Sequence, residues 1–150
     1  MMEARSFPMD NGTIAQVRVA RPTDRLEDLR RFYCEDLGLP EIGGFGGSGH
    51  HGYTGLMVGL PGADFHLEFT QHEKGSPCPA PTKDNLLVIY LPDRNEWVAR
   101  IEKMRRRGHE PVPPENPYWE KEGATFEDPD GWRVVLMNTA GIHPFGDKRP

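Results

Sequence analysis

Apolar and polar residues alternate over residues 13–20, TIAQVRVA, and a period of two predicts a β-strand. The following segment, RPTDRLEDLRRFYCEDLG, places apolar residues every three or four positions, which predicts a helix with one buried face. Asp24 and Glu27 have the spacing of a capping box at its start. Gly38 suits the left-handed position just after a helix, so we expect the helix to end there.

Two further strands are predicted after a glycine-rich loop, GFGGSG (residues 44–49). The segments YTGLMVGL and ADFHLEFT are rich in β-branched and aromatic residues, and Pro61 and Gly62 between them form a turn signal. In the second segment, alternation places His66, Glu68 and Thr70 on one face. It also places Phe65, Leu67 and Phe69 on the opposite face, which we expect to pack on the helix, with Val17 and Val19 of the first strand beside them.

The second half of the chain repeats this order. The segment LLVIYLP predicts a strand. The segment DRNEWVARIEKMRRRG predicts a helix that begins with the capping-box pair Asp93 and Glu96 and ends at Gly108. After a proline-rich loop, GATFEDP and GWRVVLMN predict two more strands. A repeated order of elements at a constant offset indicates an internal duplication. Each half alone exposes an apolar sheet face, so the halves must form one domain.

The prediction is therefore an α+β protein in which two βαβββ modules form one domain, with a cleft between curved mixed sheets. The domain is expected over residues 12–140, with module one at about 12–74, module two at about 84–140, and tails at 1–11 and 141–150.

Composition narrows the function classes. The 150 residues carry a net charge of −5, which disfavours binding to nucleic acid or to an anionic membrane surface. No apolar run approaches the roughly 20 residues of a membrane span, and no signal peptide is visible, so a cytoplasmic location is expected. The two cysteines, Cys34 and Cys78, form no metal-binding or redox motif and are expected to be reduced thiols.

Several segments resemble the vicinal oxygen chelate superfamily, which includes glyoxalase I, extradiol dioxygenases, and fosfomycin- and bleomycin-resistance proteins. They are DLRRFYCEDLG, the paired modules and FEDPDGWRVVL. The stretches RPTDRLEDLRRFY, HLEFTQH and NPYWE are similar to an uncharacterised YycE-like branch. The resemblance implies a glyoxalase-like fold and a homodimer.

The resemblance also implies four metal-ligand positions, on the first and last strand of each module. They fall on Gln16, Glu68, Leu86 (with Asn85 next to it) and Val135. Leucine and valine cannot bind a metal, so no cofactor is favoured. The alternative is one divalent ion (Zn, Ni, Mn or Fe) held by Gln16, His66 and Glu68.

Strand alternation predicts the lining of the cleft, a mostly apolar surface with a few polar groups, as small-molecule sites have. The predicted lining residues are Gln16, Arg18, His66, Glu68, Leu86, Val88, Tyr90, Arg133, Val135 and Met137. Arg18 either anchors an anionic ligand group or pairs with Glu68. Trp119, next to Tyr118 on a proline-flanked loop, either forms a wall of the cleft or packs at the domain edge.

Two functions remain open at this point. The first is a metal-free small-molecule binding protein of the bleomycin-resistance type, whose negative charge favours cationic ligands. The second is a lyase, isomerase or dioxygenase of the superfamily, metal-dependent or not, in which Glu68 is the catalytic general base.

Overall fold

A computed structural model of the chain describes residues 13–142. Four strands of the first half form one sheet in the order β1-β4-β3-β2, in which β1 runs parallel to β4 and the other pairs are antiparallel. The elements are β1 (Val17–Pro22), α1 (Leu26–Arg30) with a π-helical continuation (Arg31–Asp36), β2 (Glu41–Phe45), β3 (Tyr53–Gly59) and β4 (Phe65–His72).

Three strands of the second half form the other sheet in the order β5-β7-β6, with β5 parallel to β7. The elements are β5 (Leu86–Tyr90), α2 (Arg94–Arg106), a 3-10 turn (Pro117–Trp119), β6 (Gly123–Glu127) and β7 (Arg133–Met137). The α+β class and the two modules are confirmed. In module two, however, the strand expected beside β6 is reduced to a single bridge between Val112 and Thr125. The prolines that surround Val112 have no N–H to donate to a ladder, which explains the loss.

The predictions for the helix ends differ in outcome. Asp93 caps α2 as expected: its Oδ1 accepts hydrogen bonds from the backbone N–H of Asn95 (2.8 Å) and Glu96 (3.2 Å). The cap predicted for α1 is wrong, because the carboxylate of Asp24 accepts from the backbone N–H of Ser76 instead. Among the described residues, no helix is long and apolar enough to cross a membrane.

Some strand predictions also differ from the structure. β1 begins at Val17 rather than at residue 13, and β2 occupies a segment that the sequence indicated as loop. In β2, Gly43 and Gly44 pair with Met57 and Leu56 although glycine gives no strand signal. Of the predicted domain limits and tails, residues 1–12 and 143–150 lie outside the described residues.

One core joins the two modules. Leu29 and Phe32 from the first helix, Leu56 from β3, and Phe126 and Leu136 from module two are at most 1% exposed and pack in a single cluster. The cluster contains residues of both helices and both sheets, as expected for halves too small to bury their apolar faces alone.

The first helix is too short to cover its sheet. Phe69 packs on Tyr33 with ring centroids 4.9 Å apart, as the alternation predicted. Val17 and Val19 remain 50% and 53% exposed, and Phe65 remains 45% exposed, so the expectation that these three pack on the helix is wrong. One end of the sheet face is therefore available to line cavities.

Candidate functional site

Three polar side chains of the first sheet form a contact cluster, here called the Arg18 cluster: Arg18, His66 and Glu68. The parallel register of β1 and β4 places Arg18 beside His66 on one face. The Nε of Arg18 donates to Nε2 of His66 at 2.9 Å, and its Nη1 lies 3.4 Å from Oε2 of Glu68. His66 and Glu68 are 5% and 9% exposed, so Arg18 is the part of the cluster that meets solvent.

The contact from Arg18 determines the tautomer of His66. A guanidinium has only donors, so Nε2 of His66 must accept and the proton of the neutral ring lies on Nδ1. That nitrogen is buried and has no hydrogen-bond partner within the described chain. The imidazole lone pair is thus used by Arg18.

These residues do not fit a divalent metal. The guanidinium occupies the lone pair of His66 and neutralises Glu68, the two groups that an ion would need. Leu86 and Val135 stand at two further ligand positions, and Gln16 is exposed just before β1. Between residues 13 and 142, no group of three or more His, Cys, Asp or Glu residues is arranged to hold an ion.

A cavity of about 320 Å³, here called the cleft cavity, lies between the two sheets. Three of the predicted residues line it: Glu68 from β4, Leu86 from β5 and Arg133 from β7. The other walls are largely apolar or aromatic and are formed by Val19, Ala20, Arg21, Tyr33, Phe65, Leu67, Phe69, Asn85, Leu87 and Trp132.

A second cavity of about 350 Å³, here called the side cavity, is lined by residues of β3, β4 and β5 and of the adjoining loops. It contains the predicted residues His66, Val88 and Tyr90. Phe65, Leu67 and Leu87 line both cavities, and the sequence did not predict them as site residues. No sequence signal indicated them, because alternation placed Phe65 and Leu67 on the face expected to pack on the helix.

The remaining predicted residues lie elsewhere. Val135 and Met137 are 0% and 6% exposed and line neither cavity. The carbonyl of Trp119 lies against Gly123 of β6, and Tyr118 contacts the Trp119 ring edge-on. Gln16 and Arg18 line neither cavity. A larger groove of about 570 Å³ beside α2 contains none of the predicted residues.

Arg133 is a buried cation with two protein partners. Its Nε donates to Oε2 of Glu127 at 3.1 Å, and its Nη1 donates to the carbonyl of Pro113 at 3.0 Å. Arg133 is 5% exposed, whereas the Glu127 side chain is 41% exposed, so the ion pair reaches solvent through the carboxylate. The guanidinium is thereby bound to β6 and to the proline-rich loop.

A second buried network forms the floor of the cleft cavity. Arg21 contacts the carboxylates of Asp128 and Asp130, and its guanidinium lies 4.9 Å from the ring centroids of both Phe69 and Trp132. The hydroxyl of Tyr33 donates to Oδ2 of Asp128 at 2.7 Å. The segment DPDG (residues 128–131) thus joins the two modules through Arg21 and Tyr33.

Burial determines the protonation behaviour of this network. Loss of solvent raises the pKa of Asp128 above its ordinary value, and the nearby Arg21 opposes this rise. Burial, reinforced by the charge of Asp128, raises the pKa of Tyr33 well above its ordinary value. The Tyr33 hydroxyl therefore stays a hydrogen-bond donor. Burial also raises the pKa of the Cys34 thiol, which makes it a poor nucleophile.

Comparison with known proteins gives two consecutive family matches. Residues 17–70 match the model of the YycE-like N-terminal domain, and residues 84–138 match that of the YycE-like C-terminal domain. The chain is 54% identical over 128 residues to an uncharacterized YycE protein of Bacillus subtilis (strain 168), covering 85% of this chain and 91% of the relative.

Solved structures show the same fold. A crystal structure of a B. subtilis YycE protein of unknown function matches with a TM-score of 0.81 and 51% identity, over 89% of this chain and 95% of that one. An antibiotic binding protein from Streptomyces sp. CB03234 matches with a TM-score of 0.57 and 25% identity, over 81% and 93%. Glyoxalase I from Leishmania major, at 20% identity and a TM-score of 0.65 over 83% and 86%, shares the fold.

Proposed function

Since this chain belongs to the YycE-like family, within the vicinal oxygen chelate superfamily, we propose that it binds a small organic molecule in the cleft cavity without a divalent metal. The observation that carries the proposal is the contact of Arg18 with His66 and Glu68. A fixed positive charge takes the place that a metal would need, while the cavity between the sheets is retained.

The cavity has the features of a ligand site. Its volume of about 320 Å³ is at the lower end of the range for small-molecule pockets, roughly 300 to 1,000 Å³. Its apolar and aromatic walls supply binding free energy. The Streptomyces protein, whose described role is antibiotic binding, supports a binding role on this fold.

A second copy of the chain is part of the proposal. β1 and β5 are edge strands, and Val17 and Val19 of β1 expose about half of their surface. Exposed apolar residues on an edge strand favour association. We expect a homodimer, which light scattering during size-exclusion chromatography would measure as a mass of about twice 17.0 kDa.

One observation favours catalysis as a second candidate function. Glu68 lines the cleft cavity, and only its Oε2 has a partner among the described residues, so Oε1 is available to accept a proton from a bound substrate. The substitution Glu68→Gln separates the two functions. Loss of turnover with retained binding would support the general base; a change in binding alone would support the binding protein.

The proposal is tested by metal analysis and by ligand screening. For protein purified without chelator, we expect far less than one equivalent of Zn, Ni, Mn or Fe per chain and no change of melting temperature with EDTA. A stoichiometric metal whose removal destabilises the protein would contradict the metal-free site.

For ligand screening, Val19→Trp and Val98→Trp form a matched pair. Both valines are partly exposed, Val98 lies on α2, and only Val19 lines the cleft cavity. Compounds that raise the melting temperature of the wild type should fail with Val19→Trp and persist with Val98→Trp. Equal behaviour of the two variants would exclude the cleft cavity as the binding site.

A further inference from the structure

The cleft cavity and the side cavity meet at three residues, Phe65, Leu67 and Leu87, which line both. Resting on the proposed function, we propose that the two cavities form one elongated site and that its ligand is a linear, lipid-like molecule. The hydrocarbon chain of this ligand crosses Leu67 and Leu87. The side cavity is then the second compartment of the site rather than a separate pocket.

Strand register places the two cavities on either side of Leu67. Leu67 of β4 pairs with Val19 of β1 on one side and with Val58 of β3 on the other. Residues that pair across neighbouring strands in this way point to the same face of the sheet. Val19 lines the cleft cavity and Val58 lines the side cavity, so one apolar surface passes from the first into the second across Leu67.

The chain around β5 forms a wall that both cavities share. Residues 85–87 line the cleft cavity, and residues 87–90 line the side cavity. At the rise of a β-strand, the stretch from Asn85 to Tyr90 is roughly 16 Å long. The joined cavities are therefore extended along the strand, which suits a linear ligand better than a compact one.

Phe65 is the movable part of the boundary between the cavities. Leu67 and Leu87 pack against the core, whereas Phe65 is 45% exposed and does not belong to the core cluster. Exposed side chains change rotamer within picoseconds to nanoseconds. A ligand chain can therefore displace the Phe65 ring and contact Leu67 and Leu87, which stay in place.

The residues of the side cavity specify a hydrocarbon there. Within the described chain, no Asp, Glu, Lys or Arg residue lines this cavity, and most of its walls are aliphatic, with Leu39, Val58, Leu60 and Ile89 among them. A charged group of the ligand would lose its hydration in this compartment without gaining an ionic partner, which is costly. The part of the ligand that enters the side cavity is therefore apolar.

The cavity volumes favour one ligand that spans both compartments. Each cavity alone, at about 320 and 350 Å³, is at the lower end of the range for small-molecule pockets, and the two joined lie well inside it. A ligand confined to one compartment leaves the apolar surface of the other in water. A longer chain removes both surfaces from water, and the binding free energy grows with the area buried.

Calorimetry with linear alcohols of increasing length tests the extent of the site. The probes are 1-hexanol, 1-octanol, 1-decanol and 1-dodecanol, each below its solubility limit. Affinity for the wild type should rise roughly fourfold with each added methylene up to the longest alcohol. More than one molecule of 1-hexanol should bind per chain, but a single molecule of 1-dodecanol. Tetraethylene glycol, which matches 1-dodecanol in chain length, is the polar control and should not bind.

Two variants block one compartment each. Ala63 is exposed and lines the side cavity but not the cleft cavity, and the reverse holds for Val19. Ala63→Trp and Val19→Trp should each bind one molecule of 1-hexanol, and in each the affinity should stop rising before 1-dodecanol. Val98→Trp, on α2 and outside both cavities, should behave as the wild type. Leu60→Trp, also in the side cavity, replaces Ala63→Trp if that variant does not fold.

The elongated site would be overturned if affinity stopped rising at the same alcohol in the wild type and in Ala63→Trp. Binding of tetraethylene glycol as tight as that of 1-dodecanol, or binding of no alcohol, would also overturn it. The proposed function fails separately, when ligands from the general screen bind Val19→Trp and Val98→Trp equally. If 1-hexanol binds and is blocked by Val19→Trp but longer alcohols bind no more tightly, the cleft cavity is still a binding site although its ligand does not reach the side cavity.

Discussion

The Nε–H of Arg18 donates a hydrogen bond to Nε2 of His66 across the parallel pair β1 and β4, at 2.9 Å. Nη1 of the same guanidinium lies 3.4 Å from Oε2 of Glu68, two residues further along β4. Histidine and glutamate are common metal ligands, but here both are partners of a fixed cation.

A double-mutant cycle of Arg18→Ala and Glu68→Gln should give a coupling energy of about 0.5 to 1 kcal/mol. The value is modest because the Arg18 side chain is 47% exposed and its contact with Glu68 is 3.4 Å long. Urea unfolding of the wild type, both single variants and the double variant measures it. Coupling indistinguishable from zero would show that the two charges do not interact in solution.

Arg21→Met should lower the free energy of unfolding by about 3 to 5 kcal/mol, because it leaves Asp128 buried without its cationic partner. Arg31→Met is the matched control. The Arg31 side chain is 63% exposed, and its contact with Asp28 is long, at 3.6 Å, so the free energy of unfolding should change by less than about 0.5 kcal/mol. Denaturant unfolding compares the two. Similar losses in both variants would contradict the role of Arg21 as the link between modules.

The difference in unfolding free energy between wild type and Asp128→Asn should depend on pH in a defined direction. Burial raises the pKa of Asp128 in the folded state above its ordinary value, so across this interval the folded state keeps a proton that the unfolded state has lost. The contribution of Asp128 to stability therefore falls as pH rises from the ordinary pKa through the folded pKa, and it is constant above.

Urea titrations of both proteins between pH 4 and pH 7 measure this difference, and Asp128→Asn should lack the corresponding slope. A contribution that grows with pH across the same window would mean that Arg21 outweighs burial.

Gly123→Ala should destabilise the protein by about 1 to 3 kcal/mol. A Cβ at this position would lie 2.1 Å from the backbone carbonyl oxygen of Trp119, so the turn that covers module two must shift. Gly46→Ala is the control, since its nearest neighbour would be 3.5 Å away, which is ordinary contact. Thermal unfolding and the fluorescence of Trp119 report the two effects. An unchanged Gly123→Ala variant would show that the turn is not held against β6.

Local sequence signals predicted those elements whose stabilising contacts are also local. α2 is an example, because its cap, Asp93, lies two and three residues from the N–H groups it binds, and Gly108 ends it with a left-handed conformation. The apolar alternation likewise predicted β4 and the shared face of His66 and Glu68. The duplication and the family resemblance followed from patterns of the same kind.

Contacts between distant residues were not predictable in this way. The first N–H of α1 is bound by Gln71 rather than by Asp24, and the Arg21 network joins residues more than a hundred positions apart. β2 contains two glycines and exists because β3 pairs with it.

The site shows the same division. From the sequence alone came the fold class and the shared strand face of His66 and Glu68. The tertiary structure alone decided that Arg18 binds His66 and that Val135 and Met137 are buried. The physical reason is that periodicity encodes which face of an element a residue lies on, whereas the partner it meets depends on strand register and on how much of a sheet a helix covers.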